Sequence, residues 1–427
     1  MARKMKQTTI AQSVLAAMAV LGAGSAAASG FQLLEQNGSG LGNSYAGSAA
    51  TAENASTIYF NPAGMTQLQG TQVSAGAAIV KARYKFQDNG SIAGAFTNTG
   101  SGADGGTTGT VPNLNISTDF GHGLYGGIGF GAPFGLKTQY EVPWAGAAQS
   151  TLFEIKTYNT NPSLAYKIND KISIGIGGDY QQLEAKYQRQ ASTLSVFSLS
   201  QDTVTLQAQG RAWGWNTGLL VTPSANMKLG FSYRSRLRYH LKGDLQAGGP
   251  TAALLAANVG QASTDITLPD TFIFSVSQKL GDKWEMLGDV SRTRWSSVQD
   301  VIIVRDQSTT PAQTLNAEFR DTWRVALGSN YKLNDAWKIK AGIAYDQGAA
   351  KGADYRLVSL PDNDRMWFSL GAQWVASKAL TVDVGGAYLK IRDAGIYNDQ
   401  RSSNRGLVNG SYTGNIWILG TQVSMAF

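Results

Sequence analysis

The sequence predicts an all-β chain: a transmembrane antiparallel β-barrel of about fourteen strands, with an N-terminal hatch (plug) in its lumen. Three observations predict it. Strand-like runs alternate apolar and polar residues with period two. The connections between them are alternately very short and rather long, the asymmetry of a bacterial outer-membrane barrel. The composition is rich in glycine (50) and aromatics (10%) and carries only 15% charged residues, against the ~25% usual in a soluble domain. After residue 28 no run approaches the ~20 apolar residues of a spanning helix.

Arg3, Lys4 and Lys6 precede a short apolar run, and Ala26-Ala27-Ala28 forms an A-x-A cleavage site. Residues 1–28 therefore read as a cleaved signal peptide, with the mature chain expected to begin at Ser29. The chain has no cysteine. An exported protein without disulfides must hold itself by packing or by a closed hydrogen-bond network. Removing the three leader cations from 36 basic residues leaves 33 against 29 acids. That mild balance gives no footprint for nucleic acid.

Residues 29–70 are rich in Gly, Ala, Ser and Asn and alternate only patchily. Phe31, Leu33, Leu41, Tyr45, Ile58 and Phe60 favour a plug folded into the lumen over a disordered tail. Residues 71–427 then form the barrel, beginning with a strand over 71–86. The predicted third strand, residues 124–136, carries five glycines and Pro133, which has no donor for the ladder. Clustered Gly and Pro in a strand mark a bend or bulge, so a local break in pairing is expected. Ile172, Ile174 and Ile176 oppose Ser173, Gly175 and Gly177; Trp337, Ile339 and Ile343 oppose Lys338 and Lys340. The apolar set must face lipid, because a Lys at mid-bilayer costs roughly 2–4 kcal/mol. The closing segment, 415–427, puts Trp417, Leu419, Val423 and Phe427 on one face. Such a strand is expected to find a neighbour and a lipid face rather than stand as the edge of a soluble sheet.

The same parity places Arg324 and Arg320 with Thr322, Ala326 and Gly328 toward the lumen, and favours Arg189 over Lys186 as another inward cation. A guanidinium suits a ligand carboxylate. The alternative is pairing with lumenal acids such as Asp179 or Asp383. Arg234, Arg236 and Arg238 share the inward parity and read as structural.

Several short motifs then resemble one family in order and spacing: Gly30-Phe31-Gln32-Leu33, Asn61-Pro62-Ala63, Trp213-Gly214-Trp215-Asn216, Phe319-Arg320-Asp321-Thr322-Trp323-Arg324, and Pro361-Asp362. The mature chain is similar throughout to the outer-membrane long-chain fatty-acid and aromatic-hydrocarbon transporter (FadL/TodX-like) family. The resemblance implies a fourteen-stranded barrel closed by the hatch, a ligand pocket near the mature N-terminus, and sideways exit where the third strand kinks inward. It puts a basic ligand-site residue at Arg320; parity adds Arg189 and Arg324 as candidates, and Phe31 would be an apolar lid over the ligand if the hatch begins at Ser29. It sets Asn61, Pro62 and Ala63 beside the kink, with Gly129, Gly131 and Pro133, as the gate.

The expected function is passive uptake of hydrophobic compounds, most simply long-chain fatty acids; neutral aromatic hydrocarbons such as toluene are the alternative. No cofactor or metal is expected. The partners are the hydrophobic ligand and outer-membrane lipid and lipopolysaccharide, around a monomer. A hydrolase would need a nucleophile with His240, and no elbow or metal spacing supports one. A general porin is disfavoured by the 29–70 segment and the Gly-broken strand.

Overall fold

Alternation becomes architecture in the computed structural model, which describes residues 30–94, 100–102, 104–191, 194–195, 198–199, 202–306, 308 and 310–427. The expected signal peptide lies outside the described residues. Fourteen antiparallel strands run in chain order. They are β1 (Thr71–Asp88), β2 (Thr108–Asp119), β3 (Leu124–Gly131, continued by Gly135–Gln139), β4 (Leu152–Lys167) and β5 (Ile172–Ala191). β6 (Asp202–Ser224), β7 (Met227–Arg234 and Leu237–Gly248), β8 (Gly260–Leu268 and Thr271–Leu280) and β9 (Trp284–Thr293 and Asp300–Arg305) follow. β10 (Pro311–Asn316 and Thr322–Lys332), β11 (Trp337–Asp346), β12 (Arg365–Ser377), β13 (Leu380–Ile391 and Ala394–Asp399) and β14 (Leu407–Ala426) complete the set.

β14 pairs with β13 and, from Gln72↔Ala426 to Asp88↔Gly410, with β1. The sheet therefore closes on itself, the condition for crossing lipid with strands. The chain reverses tightly at 120–123, 168–171, 225–226, 281–283, 333–336 and 378–379, all at the end where β1 begins. The longer connections lie at the other end.

The predicted faces are observed. Ile174, Ile176, Leu327, Ile343, Phe368, Leu370 and Leu419 are exposed on the outer wall. Aromatic pairs border this apolar band at both ends. Trp284 meets Tyr331 at 4.6 Å and Trp337 stacks on Trp374 at 6.0 Å near the short turns. Tyr180 meets Trp213, and Tyr388 meets Trp417, each at 4.7 Å, toward the long loops. Two such belts are what interfacial anchoring requires.

Parity fails at breaks. β7 is interrupted at Ser235 and Arg236, and beyond them the inward positions become odd-numbered: Leu237, Tyr239 and Leu241 are buried. Arg238 therefore points outward and Arg236 is half-exposed, bound to Asp270 at 3.1 Å. Only Arg234 of the three faces inward. Similarly, Arg320 precedes the lower part of β10, which starts at Thr322, so strand parity does not govern it.

Candidate functional site

Residues 30–70 sit inside the barrel and are almost wholly buried. Their irregular backbone survives because it is shielded from lipid. Short helical turns (Leu41–Asn43, Thr57–Phe60 and Pro62–Gln67) are tied to inward polar side chains around the ring. Ser44 Oγ donates to Ser369 Oγ at 2.8 Å, Ser48 Oγ to Asp289 at 2.8 Å, and Thr66 Oγ1 to Ser173 Oγ at 2.8 Å. The strongest tie is ionic. Lys340 Nζ reaches Glu53 at 2.8 Å and Asp383 at 3.0 Å and also donates to Ser39 O at 2.9 Å, while Lys338 holds Glu53 at 2.7 Å. Arg234 pairs with Asp179, donates to Tyr59 O at 2.8 Å and lies 4.3 Å over the Tyr59 ring. No local sequence signal marked Glu53, because its partners lie about 285 residues away.

β3 is broken as its composition predicts. Between Gly131↔Asn159 and Gly135↔Lys156, three residues of β3 (Ala132, Pro133, Phe134) oppose two of β4. This is a bulge, which bends the strand that carries the extra residue. β3 pairs with β2 only up to Leu114↔Phe130. Beyond that point β2 and β3 separate, bridged by Gln139 N to Gly105 O at 3.0 Å and Thr107 Oγ1 to Lys137 O at 3.0 Å.

The bulge's free backbone groups are met from inside. Leu33 N donates to Pro133 O at 2.7 Å, Gly135 N to Phe31 O at 2.8 Å, and Gln36 Nε2 to Ala132 O at 2.8 Å. A side chain at Gly131 would collide with Gln36 Oε1, at 2.4 Å from its Cβ. The segment covering the kink is therefore 31–36, not the Asn61-Pro62-Ala63 turn. That turn packs on β5 and β6: Asn61 Nδ2 donates to Leu219 O at 3.1 Å, and Gly175 and Gly218 leave room for Ala63 and Asn61. Gly129 is approached instead by Ile58, whose Cγ2 would lie 3.4 Å from an added Cβ.

Above the kink, toward the long loops, lies an almost purely apolar cavity. Ile155, Leu183, Leu206, Leu241, Ile266, Ile303, Leu315 and Leu360 line it. Phe31 is part of this lining, buried with Trp295 at 4.8 Å and Phe134 at 6.0 Å. One aromatic cluster thus joins cavity, N-terminal segment and kink. Tyr187 also lines the cavity, and two cations, Arg189 and Arg405, act on it electrostatically. Arg189 belongs to the part of β5 that rises beyond the Tyr180 belt. Burial, then the neighbouring Arg405, lowers its guanidinium to about 10. Arg405, in the loop before β14, is likewise lowered by burial. Its place beside Arg189 was not legible in sequence, where it is one loop arginine among several.

The other predicted cations are elsewhere. Arg324 is inward and buried, but it donates to Ser44 O at 2.6 Å, lies 5.3 Å from Trp367 and lines a separate polar cavity with Gln32, Arg234 and Asp289. Arg320 is exposed and held by Asp364 at 3.3 Å and Gly348 O at 3.1 Å; like Arg189 and Arg405 it is not part of the apolar lining, but unlike them it has no electrostatic effect on the lining Tyr187. Among the described residues no cluster of His, Asp and Glu has metal-site geometry. His240 meets only Asp265, at 2.8 Å on the outer surface.

Residues 19–427 match the family model described as outer membrane protein transport protein (OMPP1/FadL/TodX). The chain belongs to this family. Its relatives include a long-chain fatty acid transport protein of Escherichia coli, 27% identical over 99% of this chain and 100% of its own length. Outer membrane protein P1 of Haemophilus influenzae is 31% identical, covering 89% of this chain and 90% of that protein. In fold the barrel is similar to a Pseudomonas aeruginosa FadL homologue, with a TM-score of 0.87 at 20% identity over 93% of this chain and 100% of that one. A Ralstonia pickettii toluene transporter follows at a TM-score of 0.65 and 17% identity, over 92% and 100%. A FadL/TodX barrel is an outer-membrane transporter of hydrophobic compounds, which agrees with a greasy cavity inside a lipid-facing wall.

Proposed function

We propose that this FadL/TodX barrel is a passive uptake channel for long-chain fatty acids, exported through cleavage of residues 1–28 and working as a monomer. One observation carries the reading: the apolar cavity shares Phe31 with the segment that covers the β3 bulge. An acyl chain fills the cavity, and its carboxylate meets Arg189 and Arg405 at the Tyr187 side. A ligand that displaces Phe31 pulls on residues 31–36 and frees the bulge. The chain then leaves sideways between β2 and β3 into the bilayer, avoiding water throughout. Binding energy is ample, since each buried CH₂ contributes about 0.8 kcal/mol. Pro133 keeps the exit free of ladder bonds and Gly131 keeps it free of bulk, while Gly129 lies in the paired part of β3 just below. Asn61, Pro62 and Ala63 act as a pivot on β5 and β6.

The test uses cysteines at Gln36 and Ala132 in a chain that has none. Once crosslinked, the protein should bind oleate but not transport it, and reduction should restore uptake. Full transport in the crosslinked state would exclude this exit. A second reading, uptake of neutral aromatics, is favoured by the near absence of polar groups in the lining. Arg189→Ala with Arg405→Ala separates the two. Fatty-acid affinity should fall by roughly 1.5–3 kcal/mol, the contribution of a charged hydrogen bond, while toluene affinity stays put.

A further inference from the structure

The outer wall carries a dense cluster of cations at β1, β14 and β13, on the long-loop side of the aromatic belt. Lys81, Arg83 and Lys85 alternate outward along β1, and Lys390 and Arg392 are exposed on β13. Arg83 and Lys390 share one row across β14, on either side of Asn415 (Arg83↔Asn415↔Lys390). One row below, Lys81 stands beside Trp417, which pairs with Tyr388. Below that the surface is apolar, with Ile79 opposite Leu419 and Val384 nearby, all exposed. Neighbouring strands lie about 4.8 Å apart, so β1 and β13 are roughly 10 Å apart and their long side chains can converge on one group.

Elsewhere on the wall several cations are neutralised locally, although Arg211, Arg238 and Lys242 are exposed with no acid at ion-pair distance among the described residues. Arg236 and Arg294 bind Asp270, Arg292 binds Asp321, and Arg320 binds Asp364. Among the described residues, none of the five cations of the β1–β14–β13 sector has an acid within ion-pair distance. The nearby Asp364 is already taken by Arg320 and by the Tyr345 hydroxyl at 2.8 Å. Asp104 stands opposite Lys85, but one acid does not balance five cations, and their repulsion is unfavourable unless an anion belongs there. Height selects which anion: the patch rests on the belt, directly above the lipid-facing band, where a partner is presented by the membrane itself.

We propose that Lys81, Arg83, Lys85, Lys390 and Arg392 form a binding site for the phosphate groups of an outer-leaflet lipid of the lipopolysaccharide class. Its acyl chains lie on Ile79, Leu419 and Val384, and its sugar head stacks against Trp417 and Tyr388. The site is outside the barrel and separate from the transport cavity. It gives the barrel a resident annular lipid along the β1–β14 seam.

The probe is bisphosphorylated lipid A, titrated into purified full-length protein in detergent and followed by the thermal unfolding midpoint and by native mass spectrometry. K81Q/R83Q/K390Q should bind it more weakly by roughly fivefold per lost cation, on the order of 100-fold in all. K156Q/K186Q/K242Q, which removes three cations from the mixed-charge surface of β4–β7, should bind as the wild type does. Lipid A stripped of phosphate should bind both proteins equally weakly, and millimolar inorganic phosphate should not compete. Wild-type affinity in the first variant, equal losses in both variants, or full competition by free phosphate would each overturn the proposal. If the triple variant fails to fold, as judged by heat-modifiable electrophoretic mobility, R83Q and K390Q are read singly and must each weaken binding about fivefold.

Discussion

The N-terminal segment touches the barrel wall through two contacts of opposite chemistry. At β11 and β13 it is held by charge: Glu53 closes a buried hub with Lys340 and Asp383, whose side chains are each 2% exposed. At β3 it is held by neutral bonds from residues 31–36 to the backbone of a bulge. Breaking a buried ion pair from one side costs about 3–5 kcal/mol, whereas a neutral hydrogen bond contributes about 0.5–1.5 kcal/mol net. The same short segment is thus anchored at one end and latched at the other. The latch can yield one weak bond at a time whereas the hub must lose a buried charge pair at once, so in the gating proposed above the latch is the end that opens.

The largest effect is expected from Lys340→Ala, which leaves Glu53 and Asp383 buried without their shared cation. It should lower stability by about 3–5 kcal/mol, read as the thermal unfolding midpoint. It should also let ions through the loosened lumen, read as single-channel conductance in a planar bilayer. Replacing Lys340 by Met and Asp383 by Leu together should recover part of the loss, because Glu53 keeps Lys338 at 2.7 Å. Unchanged stability and conductance in Lys340→Ala would abolish the distinction between anchor and latch.

A smaller effect is expected at the latch. Gln36→Leu removes the amide that donates to Ala132 O at 2.8 Å and Leu33 O at 3.2 Å. The cost should be about 1–2 kcal/mol, and it falls on the covered state of the bulge. Oleate uptake at low concentration should therefore rise a few-fold while conductance stays closed. Reduced uptake with weakened oleate binding would make Gln36 a ligand-site residue rather than a cover.

How much of this was legible beforehand follows from what each feature depends on. The lipid-facing wall and the bulge are local: Ile172, Ile174 and Ile176 announce a face, and five glycines around Pro133 announce a break. The inward stance of Arg324 and Lys340 follows from the same parity. What parity could not foresee is where a strand stops. Arg238 turned outward because β7 breaks at Ser235 and Arg236. Contacts between the N-terminal segment and the wall were beyond any local pattern, since they join residues hundreds of positions apart. Hence the kink was expected to lie under Asn61-Pro62-Ala63 and is met instead by Leu33 and Gln36. Phe31 was expected as an apolar lid at the start of the hatch, and its packing against the cavity gives that expectation a physical setting.

The smallest effect is expected at Arg320, which sets a floor for the comparison because it belongs to neither contact. Its guanidinium is 44% exposed, pairs with Asp364 at 3.3 Å and donates to Gly348 O at 3.1 Å. Water competes for both bonds, so such a pair contributes about 0–1 kcal/mol. Asp364 would also keep the Tyr345 hydroxyl and the Gly348 amide as donors after the change. Arg320→Ala should therefore move the unfolding midpoint by no more than a degree or two. Oleate affinity should stay within about twofold, because the charge of Arg320 is already matched by Asp364. The measurement is an oleate titration beside the Arg189→Ala and Arg405→Ala pair. A tenfold loss confined to Arg320→Ala would return the carboxylate site to the edge of β10 and remove the reason for placing it at Arg189 and Arg405.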